Sequence, residues 1–398
     1  MNVGVIVDND LTYDKRVLRE IDILKASGHK VFILCFGFLG QNYTAIVNNY
    51  IIRIKILKKT KDILFFFQNC IPLYEWLWSS HIKRFISNFN IEVLHVHDLY
   101  MAKAAYSGKQ KAKLNIPLIL DLHENFPYVI KTYNWTKGLL RSLITKPGKW
   151  ELKEKEYLGY ATRIIVLSED FKEILVKKYQ NLDIRNFSVL PNMPDLAEGN
   201  TDSFNTHPIL FIKTSPVILY FGVIAERRGI FDALDVFSEI VKDGADAQLL
   251  LIGPVDKKDK RKFHNIIDSK FFNNQVIYIP WIDISELPAY LQESDICIAP
   301  LHKNPQHESG VANKIFDYML GHKPIVASDC KPQQRIIEKH DCGLIFSNKE
   351  EFKDAILKLL TDTELRQKMG VNGYNAVVKY YSLSVIKKDL IAVYESLK

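Results

Sequence analysis

The most constraining feature of this chain is an alternation of short apolar runs with longer amphipathic runs, which continues almost from end to end. The short runs are rich in β-branched residues and predict strands, whereas the longer runs have the period of helices. Strands that alternate with helices build a parallel sheet covered on both faces. Residues 191–216, rich in Pro, Asn, Asp, Gly, Ser and Thr, interrupt the alternation once. We therefore predict two α/β domains joined by a linker.

The length of 398 residues also favours two domains, each with its own core. We expect residues 1–200 and 201–380 each to form a Rossmann-like, doubly wound parallel-sheet domain. We expect residues 381–398 to form a helix that packs back on the first domain. Two such sheets would face each other across a cleft at the carboxyl ends of their strands, where ligands bind in this class of sheet.

Composition and targeting patterns exclude several classes of protein. Hydrophobic residues make up 47% of the chain and charged residues 25%, which is typical of a globular enzyme. No signal-peptide pattern is present, and no apolar run approaches the ~20 residues of a membrane span. The five cysteines have no paired spacing, which favours a reducing compartment. We therefore expect a cytoplasmic protein.

Polar side chains stand at the ends of three predicted strands in the first half of the chain. These are Asp8 and Asp10, then His97 and Asp98, then Asp121, His123 and Glu124. Strand ends of this kind are where a ligand is expected. His95 and His97 share one strand face, but without a clear third ligand they predict no metal site. For His123 the alternative is a histidine at the edge of the core that bonds to backbone.

In the second half, a loop of small residues runs into a predicted helix within residues 308–324. Ser309 and Gly310 lie in the loop, and Lys314 and Asp317 fall on the first turns of the helix. A helix start presents unpaired N–H groups and a positive dipole end, which both attract an anion. With a cation and a carboxylate that accepts bonds from hydroxyl groups, the pattern predicts a site for a phosphate attached to a sugar. The alternative is an ordinary strand–loop–helix unit with a solvated Lys and Asp.

Two arginines, Arg227 and Arg228, open the helix that follows Gly222. The helix dipole disfavours positive charge at that position, and a bound anion would remove the conflict. Alternatively, both arginines are solvated or pair with Glu226 or Asp232. The chain contains neither GxGxxG nor GxxxxGK[ST], so the two common nucleotide-binding loops are excluded.

Taken in order, these motifs resemble those of the family 4 glycosyltransferases (glycosyl transferases group 1), which have the GT-B fold. The resemblance covers nearly the whole chain. In the first half it rests on DKRVLRE at 14–20, GHKV at 28–31, HVHD at 95–98 and DLHE at 121–124. In the second half it rests on YFG at 220–222, RG at 228–229, LIG at 251–253, NKIFDYM at 313–319, Gly321 and KPIV at 323–326.

The resemblance implies a retaining transferase that moves a sugar from a nucleotide-diphosphate sugar to a saccharide or lipid-linked saccharide, in cell-surface polysaccharide synthesis. It implies the donor on the C-terminal domain, the acceptor on the N-terminal domain, and no required metal or other cofactor. The implied donor-binding residues are Gly222, Arg228, Ile282, Ser309, Gly310, Val311, Lys314 and Asp317. Of these, Arg228 and Lys314 would hold the diphosphate and Asp317 the ribose. His123 would face the transferred sugar, and Asp98 and Glu124 would lie on the acceptor side.

The sequence departs from the family pattern at two positions. The family's first glutamate usually lies eight residues before the position of Asp317, where this chain has Ser309. The nearest carboxylate is Glu308, which we take as the candidate replacement at the catalytic centre. Val223 stands where many members have Arg or Lys after the glycine. These departures leave two alternatives open: a GT-B nucleotide-sugar epimerase, with acid–base carboxylates such as Asp98 and Glu124, or a non-catalytic subunit of a transferase pair.

Basic and aromatic residues are interleaved within residues 53–84. The first 200 residues carry 28 Lys and Arg against 20 Asp and Glu, so the positive charge lies in this half. We expect residues 62–85 to be helical with a break near Pro72, and the face to dock on an anionic membrane surface. Alternatively, the aromatic residues pack against the sheet and the cations are solvated. Nucleic acid is not expected, because no nucleic-acid-binding module is recognisable.

Overall fold

A computed structural model describes residues 1–41, 50–192, 211–272 and 275–397. The chain divides into two compact units. The first comprises Met1–Pro191 together with Ile386–Lys398, and the second comprises Asn192–Val385. Most of the linker predicted at residues 191–216 lies outside the described residues.

The described part of the first unit is built on a seven-stranded parallel sheet with helices around it. Its strands are β1 (Asn2–Ile6), β2 (Lys30–Phe38), β3 (Tyr50–Ile56), β4 (Val93–His97), β5 (Leu118–Asp121), β6 (Arg163–Val166) and β7 (Phe187–Val189). Its helices are α1 (Lys15–Ala26), α2 (Lys58–Phe66), α3 (Leu73–Phe89), α4 (Ala102–Ala112), α5 (Phe126–Thr132), α6 (Leu139–Thr145), α7 (Lys149–Leu158) and α8 (Glu169–Lys178). The strand order is β3-β2-β1-β4-β5-β6-β7.

The described part of the second unit is built on a six-stranded parallel sheet. Its strands are β8 (Val217–Phe221), β9 (Gln248–Ile252), β10 (Val276–Ile279), β11 (Ile296–Ala299), β12 (Ile325–Ser328) and β13 (Gly343–Phe346). The helices that follow the linker are α9 (Ile230–Lys242), α10 (Lys260–Ile267), α11 (Leu287–Glu293), α12 (Asn313–Leu320), α13 (Lys331–His340), α14 (Lys349–Thr361), α15 (Thr363–Tyr380) and α16 (Leu383–Glu395). The strand order is β10-β9-β8-β11-β12-β13.

Both sheets have the doubly wound architecture predicted from the alternation of strands and helices. In the first, β1 lies between β2 and β4, and in the second, β8 lies between β9 and β11. The direction of winding reverses at these places, and the reversal opens a crevice at the carboxyl ends of the strands. The ends of β1 and β4 in the first unit, and of β8 and β11 in the second, are therefore the places where a ligand site is expected.

The central strands are buried on both faces, which explains their near-continuous apolar sequences. Strand β4 is the exception, because its two histidines, His95 and His97, are as buried as its valines. Helix α16 supplies part of this environment, since the hydroxyl oxygen of Tyr394 lies 2.8 Å from Nδ1 of His95. The residues from Ile386 onward belong to the first unit.

The basic–aromatic segment forms α2 and α3, and the break expected near Pro72 is confirmed. Its aromatic side chains divide between two environments. Tyr74, Trp78 and Phe85 are buried in the core of the first unit, whereas Trp76 is largely exposed. None of the helices in the described part of the chain has the length and apolar character needed to cross a membrane.

We predict that Gly370→Ala in α15 lowers the free energy of unfolding by about 1–3 kcal/mol. A Cβ atom at this position would lie 2.1 Å from the carbonyl oxygen of His322, which is backbone and cannot swing away. Gly148→Ala is the matched control, because no atom lies within 4 Å of its added Cβ. Denaturant unfolding followed by circular dichroism compares the two variants. Equal stability of Gly370→Ala and wild type would contradict the packing described for α15.

Candidate active site

The register of β4 against β5 brings the polar residues of the first unit together. His97 ends β4 and Asp121 ends β5, and the two residues are partners in the parallel ladder. His123 follows two residues later, and its Nε2 lies 3.0 Å from Nδ1 of His97 and 3.2 Å from Oδ2 of Asp121. The close grouping expected of these strand-end residues is therefore present in the structure.

Arg16, on α1, fixes Asp121 from the other side. Its guanidinium donates two hydrogen bonds to the carboxylate, from Nε at 3.1 Å and from Nη2 at 2.9 Å. Burial raises the pKa of Asp121, but the positive charges of Arg16 and His123 outweigh burial and hold this pKa well below its usual value. Asp121 is therefore a fixed negative charge at the centre of the cluster.

The charge on Asp121 determines the protonation of His123. Burial lowers the pKa of His123, but the carboxylates of Asp121 and Asp98 outweigh this effect and raise the pKa to about 9. Nδ1 of His123 lies 4.0 Å from a carboxylate oxygen of Asp98. At neutral pH His123 is consequently an imidazolium that donates hydrogen bonds, and not a free general base.

The backbone at Asp98 adopts a conformation that L-residues rarely take. Its φ is +71°, and its N–H donates to the carbonyl oxygen of Asp121 at 2.9 Å. Such backbone strain is retained where the surroundings over-determine it, and it concentrates at functional sites. It turns the chain sharply after β4, and the Asp98 side chain lines the same cavity as His123.

Behind His97, a second group of buried polar side chains surrounds His95. Nε2 of His95 lies 3.7 Å from a carboxylate oxygen of Glu20, whose other oxygen is 3.2 Å from Arg16. Ligand atoms of Glu20, His95, His97 and Asp121 all lie within 4.8 Å of one another. The structure thus supplies the third and fourth ligands that the sequence left unassigned. Because the positive charges of Arg16 and His123 together offset the two carboxylates, a metal cation would gain little there, and independence from metal stays our prediction.

A cavity of about 760 Å³ opens beside His123 within the first unit. Its wall is largely aromatic, and four carboxylates and two basic groups face it. The lining residues are Asp8, Lys61, Asp62, Ile63, Phe65, Phe66, Phe67, Asp98, Tyr100, His123, Glu124, Phe126, Tyr133 and Trp135. Both residues expected on the acceptor side, Asp98 and Glu124, are among them.

Two carboxyl groups of this cavity hold protons more tightly than usual. Burial, together with the charge of Asp98, raises the pKa of Glu124 to about 7, although the hydroxyl group of Tyr133 at 3.4 Å works against the shift. Burial also raises the pKa of Asp8 to about 6, against the ammonium group of Lys61 at 3.3 Å. The position of Asp8 directly after the first strand pointed to it in the sequence, although no role was assigned to it, whereas Lys61 was not predicted as a site residue.

In the second unit, two basic side chains, one buried and one half-buried, each place a nitrogen atom out of contact with solvent. Nζ of Lys314 and Nε of Arg228 have no hydrogen-bond partner among the residues that the structure describes. Lys314 is only 6% exposed, and its ammonium group lies 3.5 Å from the ring centroid of Tyr220. Burial and then the charge of Arg228 lower the pKa of Lys314 well below its usual value. Both groups are therefore held in a state that an anion would stabilise.

The pairing considered as an alternative for the two arginines is not the one found. Arg227 pairs with Asp256 at 2.7 Å, and Asp232 pairs with His302 at 2.6 Å. Arg228 follows in a short 3-10 turn, and α9 begins only after Gly229. A Cβ at Gly229, where φ is +72°, would lie 1.6 Å from the carbonyl oxygen of Pro300. Only glycine allows this close approach between the Arg228 turn and the end of β11.

Glycine is also required next to the buried ammonium group. At Gly222 φ is +131°, and a Cβ there would lie 3.1 Å from Nζ of Lys314. Asp317, one turn after Lys314 on α12, is half-buried. Burial raises the pKa of Asp317 to about 7, although the charge of Lys314 lowers it. The space around these groups is open on the side of Gly222 because that residue has no side chain.

The loop before α12 differs in detail from the expectation. Ser309 is fully buried, its hydroxyl donates to Pro305 O at 2.6 Å, and its N–H donates to Gln306 O at 3.1 Å. The N–H of Ser309 is thus already engaged, and the backbone donors expected for a phosphate are left to Gly310 and Val311. Ile282, expected near the base, is buried.

Glu308 and His307 complete this loop. Glu308 is half-buried and accepts the N–H of Lys331, the first residue of α13, at 3.3 Å. His307, which was not predicted, lies with Nδ1 2.7 Å from His302 O. Burial is the main cause that lowers the pKa of His307 to about 4, and Arg228, Arg227 and Lys314 lower it further. His307 is therefore a neutral ring beside the buried cations, in a segment that the sequence presented only as a polar loop.

Two family models match the chain, one for each half. "Glycosyltransferase Family 4" matches residues 15–198, and "Glycosyl transferases group 1" matches residues 202–376. Among curated relatives, an alpha-D-kanosaminyltransferase of Streptomyces kanamyceticus is 24% identical over 76% of this chain and 77% of its own length. The capsular polysaccharide biosynthesis glycosyltransferase CapM of Staphylococcus aureus is 24% identical over 78% of this chain and 87% of its own.

Solved structures agree on the fold. Sucrose-phosphate synthase of Thermosynechococcus elongatus has a TM-score of 0.75 at 16% identity, over 100% of this chain and 99% of its own. The Anabaena protein Alr3699/HepE, solved in complex with UDP-glucose, has a TM-score of 0.67 at 11% identity over 100% of both chains. With its two parallel-sheet α/β units, the protein is an enzyme of the glycosyltransferase class with the GT-B fold. It belongs to the family 4, group 1 glycosyltransferases.

We predict that Asp98→Asn lowers the pKa of His123 below about 9, because it removes one of the two carboxylate charges that raise it. The pH titration of the His123 ring signals by NMR measures this pKa. Asp62→Asn is the matched control: it removes a carboxylate from the same cavity that is not among the groups acting on His123. A His123 pKa that is unchanged in Asp98→Asn, or equally lowered in Asp62→Asn, would contradict the assignment.

Proposed function

We propose that this glycosyltransferase moves a sugar from a nucleotide-diphosphate sugar, bound on the second unit, to a hydroxyl group of a saccharide or lipid-linked saccharide bound in the cavity of the first unit. We propose that the reaction retains the anomeric configuration and serves the assembly of a cell-surface polysaccharide from the cytoplasmic side of the membrane. The observation that carries the proposal is that the buried ammonium group of Lys314 and the buried Nε of Arg228 have no hydrogen-bond partner among the residues that the structure describes.

Two buried cations a short distance apart are costly unless an anion accompanies them. A diphosphate supplies two or more negative charges in a group of matching size, and Arg and Lys are its usual partners. Asp317, one helical turn away, fits the role of acceptor for ribose hydroxyl groups, which the family resemblance gives it. The UDP-glucose complex of Alr3699/HepE supports a uridine nucleotide-sugar as the first donor to test.

The cavity of the first unit suits a saccharide acceptor. Aromatic rings such as Tyr100, Phe126 and Trp135 offer flat apolar faces for the C–H faces of a sugar ring, and the carboxyl groups of Asp98 and Glu124 offer partners for its hydroxyl groups. The similarity to CapM, a capsular polysaccharide biosynthesis enzyme, supports an acceptor of the cell surface.

In the proposed reaction the bond between C1 of the sugar and the diphosphate oxygen breaks as the acceptor oxygen bonds to C1 on the same face. The acceptor proton passes to an oxygen of the leaving diphosphate, so no protein side chain is needed as nucleophile. Arg228 and Lys314 stabilise the negative charge that develops on the diphosphate. His123, already protonated, cannot take a proton and instead donates a hydrogen bond to the transferred sugar. Glu308 stays the candidate contact for the sugar hydroxyl groups.

The donor site predicts opposite effects of one substitution on binding and on stability. Lys314→Met should weaken UDP binding by about 1.5–3 kcal/mol, because it removes a charge-assisted contact to phosphate. It should also raise the free energy of unfolding of the ligand-free protein by about 1–3 kcal/mol, since a buried unpaired cation is lost. Calorimetry with UDP and denaturant unfolding measure the two quantities.

Arg228→Gln and Asp317→Asn should also weaken UDP binding. The matched control is Arg227→Gln, which removes a neighbouring exposed arginine that pairs with Asp256. UDP affinity that is unchanged in Lys314→Met, Arg228→Gln and Asp317→Asn would refute the proposed donor site.

His123→Asn should leave the affinity for UDP unchanged and lower the rate of transfer by about 100-fold or more. Its proposed role concerns the transferred sugar and not the nucleotide. Turnover assays with a panel of nucleotide-sugars and a saccharide acceptor, read by mass spectrometry, measure the rate. His340→Asn, a histidine substitution in the second unit, is the control.

The same turnover assay separates the alternatives. Release of nucleotide together with a glycosylated acceptor supports the proposed function. Isomerised donor without an acceptor product would indicate an epimerase. Binding of the donor without turnover on any acceptor would indicate a subunit that does not catalyse.

A further inference from the structure

Helix α6 exposes nearly all of its apolar surface. Leu139, Leu140 and Leu143 are 86%, 78% and 65% exposed, and the one buried residue of the helix is Thr145. Single exposed leucines are common on protein surfaces, but three within one short helix form a contiguous apolar patch. Patches of this kind mark surfaces that bind another molecule.

The turn between α2 and α3 extends this patch. Asn69 donates a hydrogen bond to Thr145 O, and the thiol of Cys70 lies 3.1 Å from Ile144 O, so the turn and α6 are packed together. The turn also exposes large apolar side chains. The apolar face therefore consists of Phe67, Ile71, Leu73, Leu139, Leu140 and Leu143.

The chain segments that carry the apolar face are strongly basic. Residues 57–73 and 137–149 contain seven Lys and Arg and a single acidic residue, Asp62. The basic residues are Lys58, Lys59, Lys61, Lys137, Arg141, Lys146 and Lys149. Apolar side chains surrounded by cations match the boundary between the acyl chains and the anionic headgroups of a bilayer.

We propose that the apolar face docks the first unit on an anionic phospholipid bilayer. A second copy of the chain is a poorer occupant, because a two-fold interface would bring the same seven basic residues of both copies against one another. A protein partner is disfavoured by the number of lysines, which are depleted in protein–protein interfaces. The face shares Phe67, Ile71 and Leu73 with residues 53–84, the segment expected from sequence. It adds α6, which lies outside that segment, and it excludes Tyr74 and Trp78, which are buried.

The apolar face adjoins the cavity of the first unit. Phe67 belongs to the apolar face and also lines the cavity, together with its neighbours Ile63 and Phe66. A saccharide carried on a lipid in the docked bilayer would therefore be presented at the edge of the cavity. This deepens the proposed function, on which it rests, by assigning the acceptor to the membrane-bound class.

The test is co-sedimentation with vesicles of phosphatidylcholine alone or with about one third phosphatidylglycerol. The wild type should sediment with the anionic vesicles and be released by high salt. A triple variant with Leu139→Ser, Leu140→Ser and Leu143→Ser should partition at least about tenfold more weakly. The matched control carries Ile284→Ser, Val371→Ser and Val378→Ser, three exposed apolar residues of the second unit, and should bind like the wild type.

Equal recovery of wild type and triple leucine variant in the supernatant with anionic vesicles overturns the proposal. So does a wild-type dimer in light scattering that the leucine substitutions dissociate. Transfer assays test membrane docking separately from the proposed function. The triple variant should retain transfer to a water-soluble acceptor and lose transfer to one embedded in vesicles, whereas absence of transfer to both acceptors by the wild type would refute the transferase proposal alone.

Discussion

The ion pair between Arg16 and Asp121 is the interaction on which the site of the first unit depends. It fixes a full negative charge at the end of β5, and this charge together with Asp98 raises the pKa of His123 to about 9. A histidine at the carboxyl end of a strand would otherwise be free to act as a base. The ion pair thus decides which chemistry His123 can perform, and it does so from a helix that contributes nothing to the wall of the cavity.

The second unit has the opposite arrangement of buried charge. Asp121 is a buried charge that has its counter-ion, whereas Nζ of Lys314 and Nε of Arg228 are buried atoms without a partner in the described part of the chain. The first arrangement is stable in the free protein, and the second becomes so only when an anion is bound. Stability and ligand binding are therefore linked in the second unit through two side chains, and Gly222 leaves space beside one of them, because a Cβ there would lie 3.1 Å from Nζ of Lys314.

Much of this arrangement could be predicted from the sequence. The period of the apolar runs gave the two parallel sheets, and the polar residues at strand ends gave His123, Asp98 and Glu124, because both are local patterns. Features that depend on contacts distant in sequence could not be predicted. The pairing of Arg16 with Asp121 joins residues 105 positions apart, and the exposure of Leu139 and Leu140 depends on what α6 packs against. The N–H of Ser309 donates to the carbonyl oxygen of Gln306 in a turn that no residue pattern predicted.

The hydrogen bond between Tyr394 and His95 closes a loop of 299 residues. The ribosome makes β4 long before it makes α16, so the buried histidine lacks this partner until the second unit has been synthesised. During this interval the first unit has its sheet but not its final helix, and the polar group of His95 has to be satisfied by water. A chain cut short before residue 386 would remain in that state, so the first unit is completed only by residues that follow the second unit in the chain.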